Sequence, residues 1–215
     1  MSSGSSSGWP ETGRALKKAA RQHAHLVFVD ETGFLLTPLV QRSWAPVGQT
    51  PVLHHRGGHR EKISGIGALT ISPRRGRLNL YMHLYQGRSV QEQEFVVFLR
   101  DLLRHLRGNV IIIWDRLNQH LSREVKAYVA ACGRVILEYF PPYAPELNPV
   151  EYLWTTLKCH RLANHGIGTI ETLEARVVEE ARRVRPRQDL LRSFIDHSPL
   201  SIRLSPRGHS QRRGQ

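Results

Sequence analysis

Three acidic residues stand where carboxylates could do chemistry: Asp30 after the apolar run HLVFV, Asp115 after VIIIW, and Glu151 in the stretch PPYAPELNPVEYLWTTLK. Carboxylates gathered without a Cys or His trio suit a hard cation such as Mg²⁺ or Mn²⁺. They repel one another unless a cation sits among them. Two such ions about 3.5–4 Å apart stabilise both the attacking and the leaving oxygen of an in-line phosphoryl displacement. Each acid also has a plainer use. Asp30 and Asp115 could close strands as Asx turns. Asn148, Pro149 and Glu151 could form an N-cap, a first helical position and an N3 partner in a variant capping box.

Neighbours extend the pattern. Lys158 follows Glu151 by two helical turns, on nearly the same face, where it could neutralise a phosphate. Trp154 shares that side and could pack beneath the site or stack on a base. Arg116 directly follows Asp115; Asn118 and His120 could orient a water or phosphate there, or cap the helix that starts near Ser122. His54, His55 and His59 lack a partner pair at zinc spacing and read as a solvated loop near DNA. Cys132 and Cys159 form no CxxC pair, which argues against a zinc or disulfide framework and fits a reducing, cytosolic setting.

Elements must position these groups. HLVFV (25–29) and VIIIW (110–114) are uniformly apolar, as strands buried on both faces are. ETG after Asp30 predicts a turn, with irregular chain over 34–60. ISGIGALTIS (63–72) and LNLYMHLY (78–85) predict a hairpin across Pro73 to Gly76. A helix capped by Ser89 should run to about Arg107, a second from Ser122 to about Cys132 stopped by Gly133, then strand VILEY (135–139) and the Glu151 helix. An amphipathic helix from Thr169 to about Val184 and a short one around 190–195 complete the order. Three antiparallel strands followed by alternating β/α units call for an α/β mixed five-stranded sheet with helices on both faces. The two most apolar strands should lie side by side at its centre, and if parallel they would bring Asp30 and Asp115 to one edge.

The 215 residues suffice for one domain with a sizeable core. We read 1–24 as a flexible, basic lead with a short helix over 11–22 and tag-like MSSGSSSG at its start, 25–200 as the folded domain, and 201–215 as a basic tail. Thirty-one Lys and Arg against eighteen Asp and Glu give a net charge of +13, which points to a polyanion, nucleic acid being the commonest. No apolar run approaches the roughly 20 residues of a membrane span, and no secretory signal is visible.

FVDETGF, IIIWDRLNQH and PPYAPELNPVEYLWTTLK, with 35 residues between Asp115 and Glu151, together resemble the DDE transposases of bacterial insertion sequences, nearest the mariner-related group. The resemblance spans about 25–200. It implies a ribonuclease-H-like fold, two divalent metal ions (Mg²⁺ or Mn²⁺) on Asp30, Asp115 and Glu151, Lys158 as a DNA-contacting base, and cut-and-paste transposition of double-stranded DNA. It also implies a homodimer or larger assembly on the element's ends, and a bacterial, cytoplasmic, nucleoid-associated protein. Arg116 stands where members often have Asn. The 24 residues before the first strand are too few for a helix-turn-helix module, so end recognition would come from a separate product or this is a truncated copy. Two other readings fit the same residues: a non-catalytic basic DNA-binding remnant, and a ribonuclease-H-like nuclease without strand transfer.

Overall fold

The computed structural model describes residues 13, 17–19, 21–37, 39–42, 44–50, 52, 61–73, 76–117, 120, 122–164, 167–200 and 202. His54, His55, His59, Asn118, most of the basic lead and the tail beyond 202 lie outside them. Of the expected N-terminal helix, residues 13, 17–19, 21 and 22 are described and helical.

Five strands form one mixed sheet in the order β3-β2-β1-β4-β5. They are β1 (His25–Leu35), β2 (Lys62–Ile71), β3 (Leu78–Gln86), β4 (Val110–Trp114) and β5 (Val135–Tyr139). As predicted, the two most apolar strands are central neighbours; they run parallel, paired from His25↔Val110 to Phe28↔Ile113. The first strand is longer than the apolar run suggested. Where β4 stops, β2 continues as an antiparallel partner, from Leu26↔Ile71 to Leu35↔Lys62. The ETG segment is therefore ladder rather than turn, and Asp30 sits within β1. Nothing in Glu31-Thr32-Gly33 forbids extended backbone, and a partner strand decides the matter.

Side chains alternating along the strands feed two cores. On one face Val27, Val29, Ile66, Ala68, Ile112 and Trp114 meet α1 (Glu92–His105) and α2 (Arg123–Cys132). On the other, Phe28, Leu69, Ile111 and Ile113 meet α3 (Val150–Thr155), α4 (Ile170–Val184) and α5 (Gln188–His197). Ser89 does not cap α1. It accepts a hydrogen bond from Lys62 Nζ at 3.0 Å, while Gln91 and Glu94 form the capping box. Ser122 does cap α2, accepting Val125 N–H at 3.2 Å, and Gly133 ends it with φ of 63°. α5 extends beyond the expected 190–195, and its first residue binds both the N–H (3.0 Å) and the carbonyl (2.7 Å) of Leu78, covering part of the β3 edge.

Candidate active site

Two residues past the last β1–β4 pair, Asp30 and Asp115 stand abreast. The Asp30 side chain lies on the α3 face, where Trp154 Nε1 donates to its Oδ2 at 2.8 Å. Across β1–β2, the partner of Asp30 is Gly67, and a Cβ there would overlap the six-membered ring of Trp154. Glycine thus lets the indole lie across β2 and reach the carboxylate, the close approach a strand glycine often marks. Of the two roles read from the sequence, Trp154 takes the packing one (3% exposed), and it also donates to the acid, which the sequence did not suggest. Burial, then the charge of Glu151, push the Asp30 carboxyl up to about 8; the Trp154 hydrogen bond opposes this, and Glu31 and Asp115 add to it.

The chain reaches Glu151 through a 3₁₀ turn, Pro145–Leu147. Asn148, 4% exposed, then bolts this segment to β1: its Nδ2 donates to the Val29 carbonyl at 3.1 Å, and its Oδ1 accepts Val150 N–H at 3.2 Å. The carbonyl it holds belongs to the residue before Asp30, so the start of α3 is registered on the first aspartate. The expected capping box does not form. Pro149 is the cap residue, and the Asn148 N–H that Glu151 would have accepted goes to the Pro145 carbonyl at 2.8 Å. Among the described residues the Glu151 carboxylate accepts no hydrogen bond, so capping makes no demand on it.

Past Thr155 the helix widens into a π-helical turn, Thr156–Arg161, a form frequent at functional sites. Lys158 lies in it, its ammonium 5.7 Å from the centroid of the Phe34 ring. Burial lowers the Lys158 pKa, against the raising influence of Glu151 and Asp30. Burial raises Glu151, with Lys158 opposing and Asp115 adding to the rise. The lysine and the two acids therefore share one electrostatic neighbourhood.

Asp115 is held differently. Its Oδ1 accepts Leu117 N–H at 3.1 Å and lies 2.7 Å from His120 Nδ1. The other ring nitrogen, Nε2, is 2.5 Å from Glu31 Oε1. With a carboxylate at each nitrogen both must donate, so His120 is an imidazolium. Its ring stacks on Trp114 (4.5 Å, 5°) and meets Phe95 edge-on (4.6 Å). Burial alone would lower the His120 pKa, but the hydrogen bonds to Asp115 and Glu31 and their charges carry it up to about 9. Burial likewise pushes Asp115 up, yet the bonds from His120 and Leu117 outweigh it and the carboxyl ends below its usual range. The sequence left His120 either to orient a water or phosphate or to cap the next helix; the structure buries it fully, with an acid beside each ring nitrogen. Glu31 and Gly67 were missed by sequence reasoning. Arg116 is exposed, with its guanidinium 5.8 Å from the centroid of the Tyr139 ring, and Asn118 lies outside the described residues.

The chemistry of the donors fits a hard divalent cation. Asp30 has one oxygen held by an N–H donor and Asp115 likewise, which leaves Asp30 Oδ1, Asp115 Oδ2 and the Glu151 carboxylate without a protein donor among the described residues. All are oxygen ligands, and the acids raise one another's pKa. Among the described residues, no three His, Cys, Asp or Glu side chains are already gathered as a metal cage.

This sheet order, with one acid on β1, a second just past the end of β4 beside it and a third on a following helix, defines a class. Residues 25–174 match the family model of the DDE superfamily endonucleases, and the chain belongs to that superfamily. Its fold matches ribonuclease-H-like transposase catalytic domains. The Mos1 transposase in a paired-end complex with the left transposon end superposes with a TM-score of 0.64 at 19% identity, over 89% of this chain and 57% of that one. The Mos1 mariner paired-end complex with Mn gives 0.63 at 18%, over 88% and 57%. The Mos1 catalytic domain gives 0.52 at 14%, over 94% and 98%. The chain thus spans a little over half the length of the Mos1 chains in those complexes. No curated protein matches it. Among the described residues no helix is long and apolar enough to cross a membrane.

Proposed function

We propose that this chain is the catalytic domain of a DNA transposase, cleaving DNA at transposon ends and joining the freed end to target DNA. The observation that carries this reading is the meeting of Asp30, on β1, with Asp115, just past the end of the parallel neighbour β4, and the Glu151 helix bolted to the carbonyl just before Asp30. Asp30, Asp115 and Glu151 would hold two divalent ions, Mg²⁺ or Mn²⁺. When bound, these supply charge stabilisation for the attacking and leaving oxygens of an in-line phosphoryl displacement. Trp154 holds one oxygen of Asp30, and His120 with Leu117 N–H holds one of Asp115, so each aspartate offers its other oxygen as ligand. Lys158, beside Glu151, meets the phosphate next to the scissile bond. Arg116 and Asn118 contact the DNA backbone flanking Asp115.

In cleavage, water attacks the phosphorus and the P–O3′ bond breaks, leaving a 3′-hydroxyl on the element. In strand transfer that hydroxyl attacks a target phosphodiester, and the target's own 3′-oxygen leaves. Support for the DNA substrate comes from the +13 charge and from the transposon-end complexes of the Mos1 relatives. We place the protein in the mariner-related group of bacterial insertion sequences, acting in the cytoplasm on nucleoid DNA as a homodimer.

The test is nicking of labelled duplex DNA carrying the element's end, with Mg²⁺ or Mn²⁺, by wild type and Asp115→Asn. Metal-dependent nicking by wild type alone is the expected result. Equal cleavage by both proteins would move the activity elsewhere, and none by either would favour the DNA-binding remnant. Nicks without joined products would identify a nuclease that does not transfer strands.

A further inference from the structure

Beyond Phe28↔Ile113 the two central strands share no backbone pairing. β1 continues along β2, while β4 ends at Trp114 and its carbonyl is taken by Phe140 N–H at 2.8 Å. Asp30 and Asp115 stand just past that point, so the ladder that aligns the strands does not itself fix the second carboxylate. A side-chain bridge spans the gap. His120 Nε2 sits 2.5 Å from Glu31 on β1, and Nδ1 sits 2.7 Å from Asp115 Oδ1 and 3.2 Å from the Asp115 carbonyl. The ring is fully buried between Trp114 and Phe95, so it has no freedom to swing. Glu31 and Asp30 are successive strand residues and point to opposite faces of the sheet. One face therefore carries the acid itself, and the other carries the tie that aligns its partner.

We propose that Glu31 and His120 form a positioning pair for Asp115, locking its carboxylate so that Oδ2 is the oxygen presented to the metal. The inference rests on the metal-binding reading above. Hydrogen bonds to ionised groups outweigh the rotamer preference of a half-exposed aspartate. Outer partners of this kind typically change metal affinity or activity by about 10–100-fold when removed.

The geometry of the two ring nitrogens gives a discriminating pair of variants. Asparagine at position 120 can put an N–H where Nδ1 was and keep the bond to Asp115. Glutamine reaches where Nε2 was and keeps only the bond to Glu31. Mn²⁺ binding by calorimetry without DNA, metal-dependent nicking, and thermal melts are measured for wild type, His120→Asn, His120→Gln and Glu31→Gln. His120→Gln should weaken Mn²⁺ binding by about 10–100-fold and lower kcat in step, with KM for DNA unchanged. His120→Asn should keep most of both, and Glu31→Gln should fall between. A purely structural role would make the two His120 variants lose binding equally, or in proportion to Tm, and would overturn the pair. Wild-type binding matched by all three variants would overturn it as well. No Mn²⁺ binding by wild type would overturn the metal reading, and the pair with it.

Discussion

The corners around Asp30 and Asp115 are abreast on neighbouring strands, yet they prepare their carboxylates in opposite ways. Asp30 is partly buried against a neutral indole; burial and the neighbouring acids hold its proton to about pH 8, and the indole N–H opposes them. Asp115 is half-exposed and bonded to a cationic imidazole and a backbone N–H, which keep it ionised. One acid waits for a cation to displace its proton; the other is a ready anion. Such divergence between paired titratable groups is a mark of a working site. The structural ties differ too. The Asp30 corner is secured by packing, with Trp154 over Gly67, whereas the Asp115 corner is secured by charge.

Removing a metal ligand, from the Asp30 corner or from the helix that faces both corners, should have the largest effect. Asp30→Asn and Glu151→Gln are each expected to cut the Mn²⁺-dependent nicking rate by about 10³-fold or more, measured on the same labelled duplex. A residual rate near wild type in one of them would exclude that acid from the ligand set.

Gly67→Ala should break the Asp30 corner while leaving the Asp115 corner intact. The added methyl overlaps Trp154, so a loss of about 1–3 kcal/mol is expected in denaturant melts. The two corners also predict separable pH effects on the metal-free protein. Asp30 titrates ordinarily at 3.8 and in the fold at about 8, so the folded state keeps a proton that the unfolded chain has lost, and stability declines as pH rises through that window. His120, moved from 6.5 to about 9, contributes stability that is fully present below 6.5 and lost as pH climbs through 9. Thermal melts of Asp30→Asn should lose the decline between about pH 4 and 6.5 and keep the later one. Trp154→Phe should give the smallest effect. It removes the one bond favouring ionised Asp30 and should weaken Mn²⁺ binding at pH 7 by about tenfold, the equivalent of one lost hydrogen bond of roughly 1.4 kcal/mol.

Much of this was legible in the sequence because the strongest signals are local. Uniformly apolar HLVFV and VIIIW identified the two central strands, and the acids that end those runs do stand together. The errors fall where a distant partner decides. ETG reads as a turn until β2 is there to pair with it. The capping box was plausible until the Pro145 carbonyl claimed the Asn148 N–H. Glu31 and His120 are far apart in the chain, and no spacing rule links them. Gly67 did carry a signal, one of two glycines (with Gly65) within a buried strand, and its meaning became clear only once Trp154 lay over it.

The most direct test of the shared cation site is Mn²⁺ titration calorimetry at pH 7 in two buffers of different ionisation enthalpy. Wild type should release close to one proton per site occupied, since Asp30 must shed the proton it holds to about pH 8 before it can act as ligand. Asp30→Asn should bind more weakly and release almost none. Tight binding by wild type with no proton released, or identical isotherms for the two proteins, would contradict a site built on Asp30, Asp115 and Glu151.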